Sequence, residues 1–175
     1  MSNTKLSKKV FASMMETLNA FYVNFKVDLD NQLVVKLWYQ TFENIGDETF
    51  KQLVESYCKS NIYPPQSPTH LIQHMKDLVL SNERSAEEAW EIGYAMVKRF
   101  YFSVTRACEE LKKNGEENIA NALNEMRSRF NNLMTDDLPY VRKDFIEIYK
   151  RVVTQNINQK VMIGDVSQLK LGEGK

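Results

Sequence analysis

Residues 31–80, NQLVVKLWYQTFENIGDETFKQLVESYCKSNIYPPQSPTHLIQHMKDLVL, decide the fold. Three apolar stripes at helical spacing run through them: Val34, Leu37, Trp38 and Phe42, then Phe50, Leu53, Val54, Tyr57 and Cys58, then Leu71, Ile72, Met75, Leu78 and Val79. Asp30 is placed to cap the first helix, expected to run to about Ile45, and Asp47 to cap the second. The segment NIYPPQSP, residues 61–68, breaks the pattern, because each proline removes a backbone donor and drives its predecessor toward extended geometry. Ser67 followed by Pro68 then restarts helix, a capping residue with proline at the first helical position. No row of catalytic groups accompanies these stripes, so the segment reads as a shape that binds.

Outward from this stretch the helical period continues. Toward the N-terminus, Leu6, Val10, Met14, Leu18, Tyr22 and Phe25 share one face, broadened by Phe11, Met15 and Phe21. After the polar break at residues 81–84, Ser85-Ala-Glu-Glu88 supplies a capping box. One long helix is expected from Ala86 to Lys113 on the stripe Ala89, Trp90, Gly93, Val97, Phe100, Val104, Cys108 and Leu111, stopped by Asn114-Gly115. Ile119, Leu123, Met126, Phe130 and Leu133 form a further face, and Pro139 reopens helix with Val141, Phe145, Ile148, Tyr149 and Val152 inward. The expectation is an all-α, compact multi-helix bundle of about six helices. Its divisions are residues 1–80, a second region over 85–155 built on the long helix, and a tail over 156–175 where the pattern fades. That tail reads either as a frayed end or as a mobile segment that orders on a partner.

A chain of 175 residues with 43% hydrophobic content can bury a substantial core in one unit or two small ones. Basic and acidic residues number 23 each, and the balance holds locally, with eight of each up to residue 80 and fifteen of each beyond it. This excludes a broad electropositive surface and leaves room only for a local basic patch. No apolar run approaches membrane-spanning length, and MSNTKLSKK lacks the apolar stretch of a signal peptide, so a cytoplasmic location in a bacterial host is expected. Cys58 and Cys108 each fall on an apolar stripe and read as buried small hydrophobes.

Catalytic chemistry finds no foothold. The six glycines, at 46, 93, 115, 164, 172 and 174, assemble neither a P-loop nor a dinucleotide fingerprint. His70 and His74 have the i, i+4 spacing of a metal pair but lack a glutamate after the first histidine, and they read as rim residues. The carboxylate pairs Glu87-Glu88, Glu109-Glu110, Glu116-Glu117 and Asp136-Asp137 lie on polar faces or helix ends. The expectation is a protein that is not an enzyme and uses no cofactor or metal. Candidate contacts are aromatic and basic instead. Trp38 and Trp90 read as core, whereas Tyr39, Tyr63, Tyr101 and Tyr140 are candidates for partly exposed contacts. Pro64 and Pro65 hold Tyr63 in a fixed direction, with little entropy left to lose on binding. Lys98-Arg99 and Arg142-Lys143 are the leading candidates for contact with DNA or an acidic protein, the alternative being ordinary i, i+4 pairing with neighbouring acids.

Trp38-Tyr39, Phe50-Lys-Gln-Leu53-Val54 with Tyr57, Tyr63-Pro64-Pro65, Ser67-Pro68 and Leu71-Ile72, in that order and spacing, resemble the amino-terminal domain of the phage replicative helicase loader and inhibitor family. The likeness covers about residues 8–80. A looser one follows in Trp90 and in Arg142, Phe145 and Tyr149. The resemblance implies an all-helical adaptor of phage or prophage DNA replication that binds the hexameric replicative helicase, restrains it and helps deliver it to an origin marked by an initiator. It further implies a tail that contacts the helicase, here 156–175 with Val161, Met162, Ile163, Val166, Leu169 and Leu171 as apolar anchors. The chain departs from the short acidic loader of that family in its balanced charge and in a second half patterned to fold, which moves candidate helicase contacts into 86–155. Two other classes stay open: a helical DNA-binding initiator or regulator, and a self-associating structural protein.

Overall fold

The computed structural model describes residues 5–23, 27–130 and 133–162. Among them are eight α-helices: α1 (Lys8–Phe21), α2 (Gln32–Phe42), α3 (Asp47–Ser60), α4 (Pro68–Asn82), α5 (Ala86–Arg99), α6 (Val104–Lys113), α7 (Glu117–Glu125) and α8 (Leu138–Met162). Two 3₁₀ turns, Arg127–Phe130 and Thr135–Asp137, lie between α7 and α8, and no strand occurs among the described residues. The architecture is all-α, as the stripes require, with eight helices where about six were expected. The chain forms two compact units. The first holds the described residues up to Asn82 together with those from Ile157 onward, and the second is Glu83–Asn156.

In the first unit α1 packs on α3 and α3 on α4. Rings join α2 to them: Phe42 and Phe50 lie 5.2 Å apart, Phe11 and Phe50 5.8 Å, and Phe11 meets Tyr39 edge-on at 5.4 Å. The start of α1 is pinned by polar contacts. Ser7 caps the helix by accepting from the Val10 N–H, and it donates its own N–H and O–H to the two carboxylate oxygens of Asp47, at 2.6 and 2.9 Å. The Leu6 N–H donates to the Glu43 carbonyl, and the Tyr39 hydroxyl donates to the Leu6 carbonyl at 2.7 Å. Asp47 is therefore the first residue of α3 and a clasp on α1, and Gly46 occupies the capping position expected for Asp47. Likewise Asn31, not Asp30, caps α2, its Oδ1 accepting from Leu33 and Val34. Beyond α1, the Asn19 side chain both donates to the Val27 carbonyl and accepts the Val27 N–H.

The second unit is built on small residues. Ala89, Ala107, Ala120 and Ala122 are buried, and Gly93 lets α7 approach α5 closely enough that a Cβ there would sit 3.1 Å from Ile119 Cγ2. Cys108 donates its S–H to the Ala120 carbonyl. Trp90 stacks on Tyr94 at 5.0 Å and meets Phe145 at 5.5 Å, and Phe145 stacks on Tyr149 at 5.9 Å. The capping box of Ser85 and Glu88 forms as expected.

The single helix expected over 86–113 is instead two. At Phe100 the chain turns back through Tyr101 and Phe102, whose φ angles are 51° and 64°. The Phe102 N–H bonds to the Val97 carbonyl and the Tyr101 N–H to the Lys98 carbonyl, the hydrogen-bond pattern that ends helices in a Schellman motif. The long helix of this half is α8, which runs through Met162, past the fading of the pattern expected at 156.

Candidate functional site

The first unit exposes apolar side chains at two places. The Tyr22 hydroxyl donates to the Asn61 carbonyl at 2.8 Å, joining the end of α1 to the proline joint. From the two sides of this contact emerge Phe21 and Val23, and Ile62 and Tyr63, all exposed, the latter two at 89% and 79%. Beneath them the packing is firm. Tyr22 and Tyr57 rings lie 6.4 Å apart, Tyr57 meets the His74 ring edge-on at 5.3 Å, and His74 Nε2 is 3.1 Å from Ser56 Oγ. Burial, with help from the neighbouring Cys58 and Tyr57, pushes the Tyr22 hydroxyl up to about 12, and burial followed by the effect of Cys58 raises Tyr57. Burial holds His74 below its ordinary value against an opposing pull from Asp77. Burial also raises the thiols of Cys58 and Cys108, so both stay protonated and act as packing groups.

The second place is the outer face of α2. Leu33 and Leu37, one turn apart, are exposed at 74% and 64%. Leu37 was expected to face inward, and it does not, because Trp38 and Phe42 fill the side of α2 that faces the core. Phe21 departs from its expected core position in the same way. The apolar residues of LVVKLWY occupy a wider arc than one helix–helix contact can cover, and that excess is the signal in the sequence for this face.

The other candidates sort unevenly. Tyr63 stands in solvent, Pro64 is half-buried and Pro65 is buried, so the joint presents the tyrosine and not a proline ridge. Tyr39 is half-buried, with its hydroxyl engaged by Leu6. Val161, read as a tail anchor, is half-buried against the core of the first unit, since α8 reaches it. Ile163 and Leu169, with Val166 and Leu171, lie outside the described residues. Tyr101 is 94% exposed, and Lys98, Arg99, Arg142 and Lys143 are all exposed. Lys98 Nζ sits 4.6 Å from the Tyr94 ring centre, and the Arg99 guanidinium 5.9 Å from that of Phe100.

The histidines are engaged separately. His70 Nδ1 accepts the Gln66 N–H, whereas His74 faces Ser56. Among the described residues no cluster of three or more His, Cys, Asp or Glu could hold a metal ion, and no helix is long and apolar enough to cross a membrane. What this surface offers is apolar and aromatic contact on a rigid helical frame. No curated protein and no solved structure matches the chain. Residues 7–68, which hold α1, α2, α3 and the proline joint, match the family model for the N-terminal domain of the gene-39 protein, a family linked to phage helicase loader and inhibitor proteins.

Proposed function

We propose that this chain is a non-enzymatic adaptor of phage or prophage DNA replication that binds the hexameric replicative helicase and controls its loading or activity. The observation that carries this reading is the match of residues 7–68 to the N-terminal domain of the helicase loader and inhibitor family. The exposed apolar groups Leu33, Leu37, Ile62 and Tyr63 all fall inside the matched stretch and support it. A soluble partner that covers such side chains gains about 1.5–3 kcal/mol for each large one fully buried, less the cost of association.

The adaptor performs no bond chemistry. It binds one conformation or assembly state of the ring more tightly than another, and it shifts that equilibrium only by the difference between the two affinities. ATP hydrolysis belongs to the helicase. Release follows when DNA, an initiator or another replication protein competes for the same state.

The test is size-exclusion chromatography with light scattering on the full chain mixed with the replicative helicase of the same phage or host, with and without ATP. A complex whose mass changes with nucleotide is the expected result. Two unshifted peaks with both proteins folded would sink the reading.

A further inference from the structure

The second unit carries a feature that neither the family match nor the adaptor reading uses. Tyr101 occupies the left-handed position at the end of α5 where helices ordinarily place glycine, with φ at 51°. Any side chain is strained there, because its Cβ crowds the neighbouring carbonyl. The fold draws little in return, since the ring is 94% exposed and no hydrogen bond among the described residues holds its hydroxyl. Phe102 beside it is also exposed and also has positive φ. Strain kept at a solvent-facing aromatic tip is what a binding platform requires.

Charge gathers at the same end. Residues 92–108, IGYAMVKRFYFSVTRAC, hold three cations, Lys98, Arg99 and Arg106, and no carboxylate, in a chain that is neutral as a whole. Two contacts bring α8 into register with them. Trp90 of α5 meets Phe145, and four residues further along α8 the Tyr149 hydroxyl reaches the carbonyl of Arg84, so α8 runs antiparallel to α5. The first turns of α8, with exposed Tyr140, Arg142 and Lys143, therefore lie at the end where α5 finishes. None of these five cations forms an ion pair among the described residues; the pairs of this unit use Arg84, Lys113, Arg129 and Arg151. The acids nearby are Asp144, paired with Arg129, and Asp136 and Asp137 of the 3₁₀ turn. Five free cations thus face two unpaired carboxylates.

We infer that this end of the second unit, formed by the α5–α6 turn and the start of α8, binds single-stranded nucleic acid, with unstacked bases on Tyr101 and the cations along the phosphates. Stacking on exposed rings needs bases that are already free, which favours a single strand over a duplex. An acidic protein would satisfy the cations and leave the strained ring unexplained. Phosphates and bases are common to DNA and RNA, so both are probed.

The experiment is fluorescence anisotropy of labelled dT20 and U20 titrated with the full chain at 50 and 200 mM NaCl, beside a 20-base-pair duplex. Neutralising three to four phosphates weakens single-strand binding by about 20- to 50-fold over that salt range. Tyr101→Gly, which relieves the backbone and should fold at least as well, is expected to lose about fivefold or more through the missing stack. The K98Q/R99Q/R142Q/K143Q variant is expected to lose most of the salt dependence. The inference is overturned by an absence of binding at 50 mM NaCl, by equal affinity for the duplex, or by unchanged affinity in Tyr101→Gly. Loss of helicase binding in Tyr101→Gly without any oligonucleotide binding by the parent chain would assign the ring to a protein partner and also overturn it.

Discussion

Two helix ends in the second unit are tied by the same bonds and differ in one residue. After α6, Gly115 takes φ of 79° and donates to the Lys112 carbonyl while Glu116 donates to Leu111; after α5, Tyr101 and Phe102 make the corresponding bonds. The first end is legible, because glycine announces it. The second is silent, because nothing in KRFYFS breaks a helix. Tyr101→Gly is expected to raise stability by about 1 kcal/mol, read from the urea midpoint. Asp47 shows the opposite case, a residue recognised as a helix start whose larger role is tertiary. Asp47→Ala removes both acceptors of Ser7 and is expected to cost about 2 kcal/mol in the same measurement, and more than Ser7→Ala, which leaves Asp47 to accept the backbone N–H. Tertiary hydrogen bonds of this kind join residues forty apart and leave no trace in local spacing.

Among the elements, those with one narrow stripe were readable and those with surplus apolar residues were not. The stripe of α3 is buried as expected at Phe50, Leu53, Val54, Tyr57 and Cys58. In α2 the apolar arc exceeds what the core accepts, and periodicity alone could not say that Leu37 would be left outside. Replacing Leu33 and Leu37 with serine is therefore expected to leave the unfolding midpoint nearly unchanged while weakening any partner seated on that face by tenfold or more, measured against the helicase by chromatography or titration. The α5–α7 contact makes a different prediction. Ile119 is β-branched and fully buried, so it cannot swing away from a side chain placed at Gly93. Gly93→Val is expected to destabilise by about 1–3 kcal/mol, despite removing a glycine from a helix interior.

For the whole molecule, stability should fall at both ends of the pH scale for different reasons. Tyr22 and Tyr149, each raised to about 12 chiefly by burial, keep their protons in the folded state at pH values where the unfolded chain has lost them. Their contribution is complete below pH 10 and drains away between 10 and 12. His74, held below 6.5 by burial, works in the other direction: its contribution is complete above 6.5 and is lost as the pH falls through its lowered value. Urea midpoints at pH 5, 8, 10.5 and 11.5 should trace this dome, and a Tyr22→Phe/Tyr149→Phe chain should show a shallower alkaline limb. The all-helical class and the apolar core were legible from periodicity, and the resemblance in residues 8–80 anticipated the family match over 7–68. The exposed clusters were not legible, since Ile62, Tyr63, Phe21 and Val23 meet only through the Tyr22–Asn61 contact.

The first unit is discontinuous along the chain, closed by residues from Ile157 onward after the 74 residues of Glu83–Asn156 have intervened. A ribosome adding about 5–20 residues per second takes about 4–15 s to pass from one part to the other. Through that interval the nascent first unit waits without Ile157 and Val161, its apolar surface partly open, while the second unit already has every residue it needs. The order of completion is thus inverted relative to the order of synthesis: the unit translated first is the last to close.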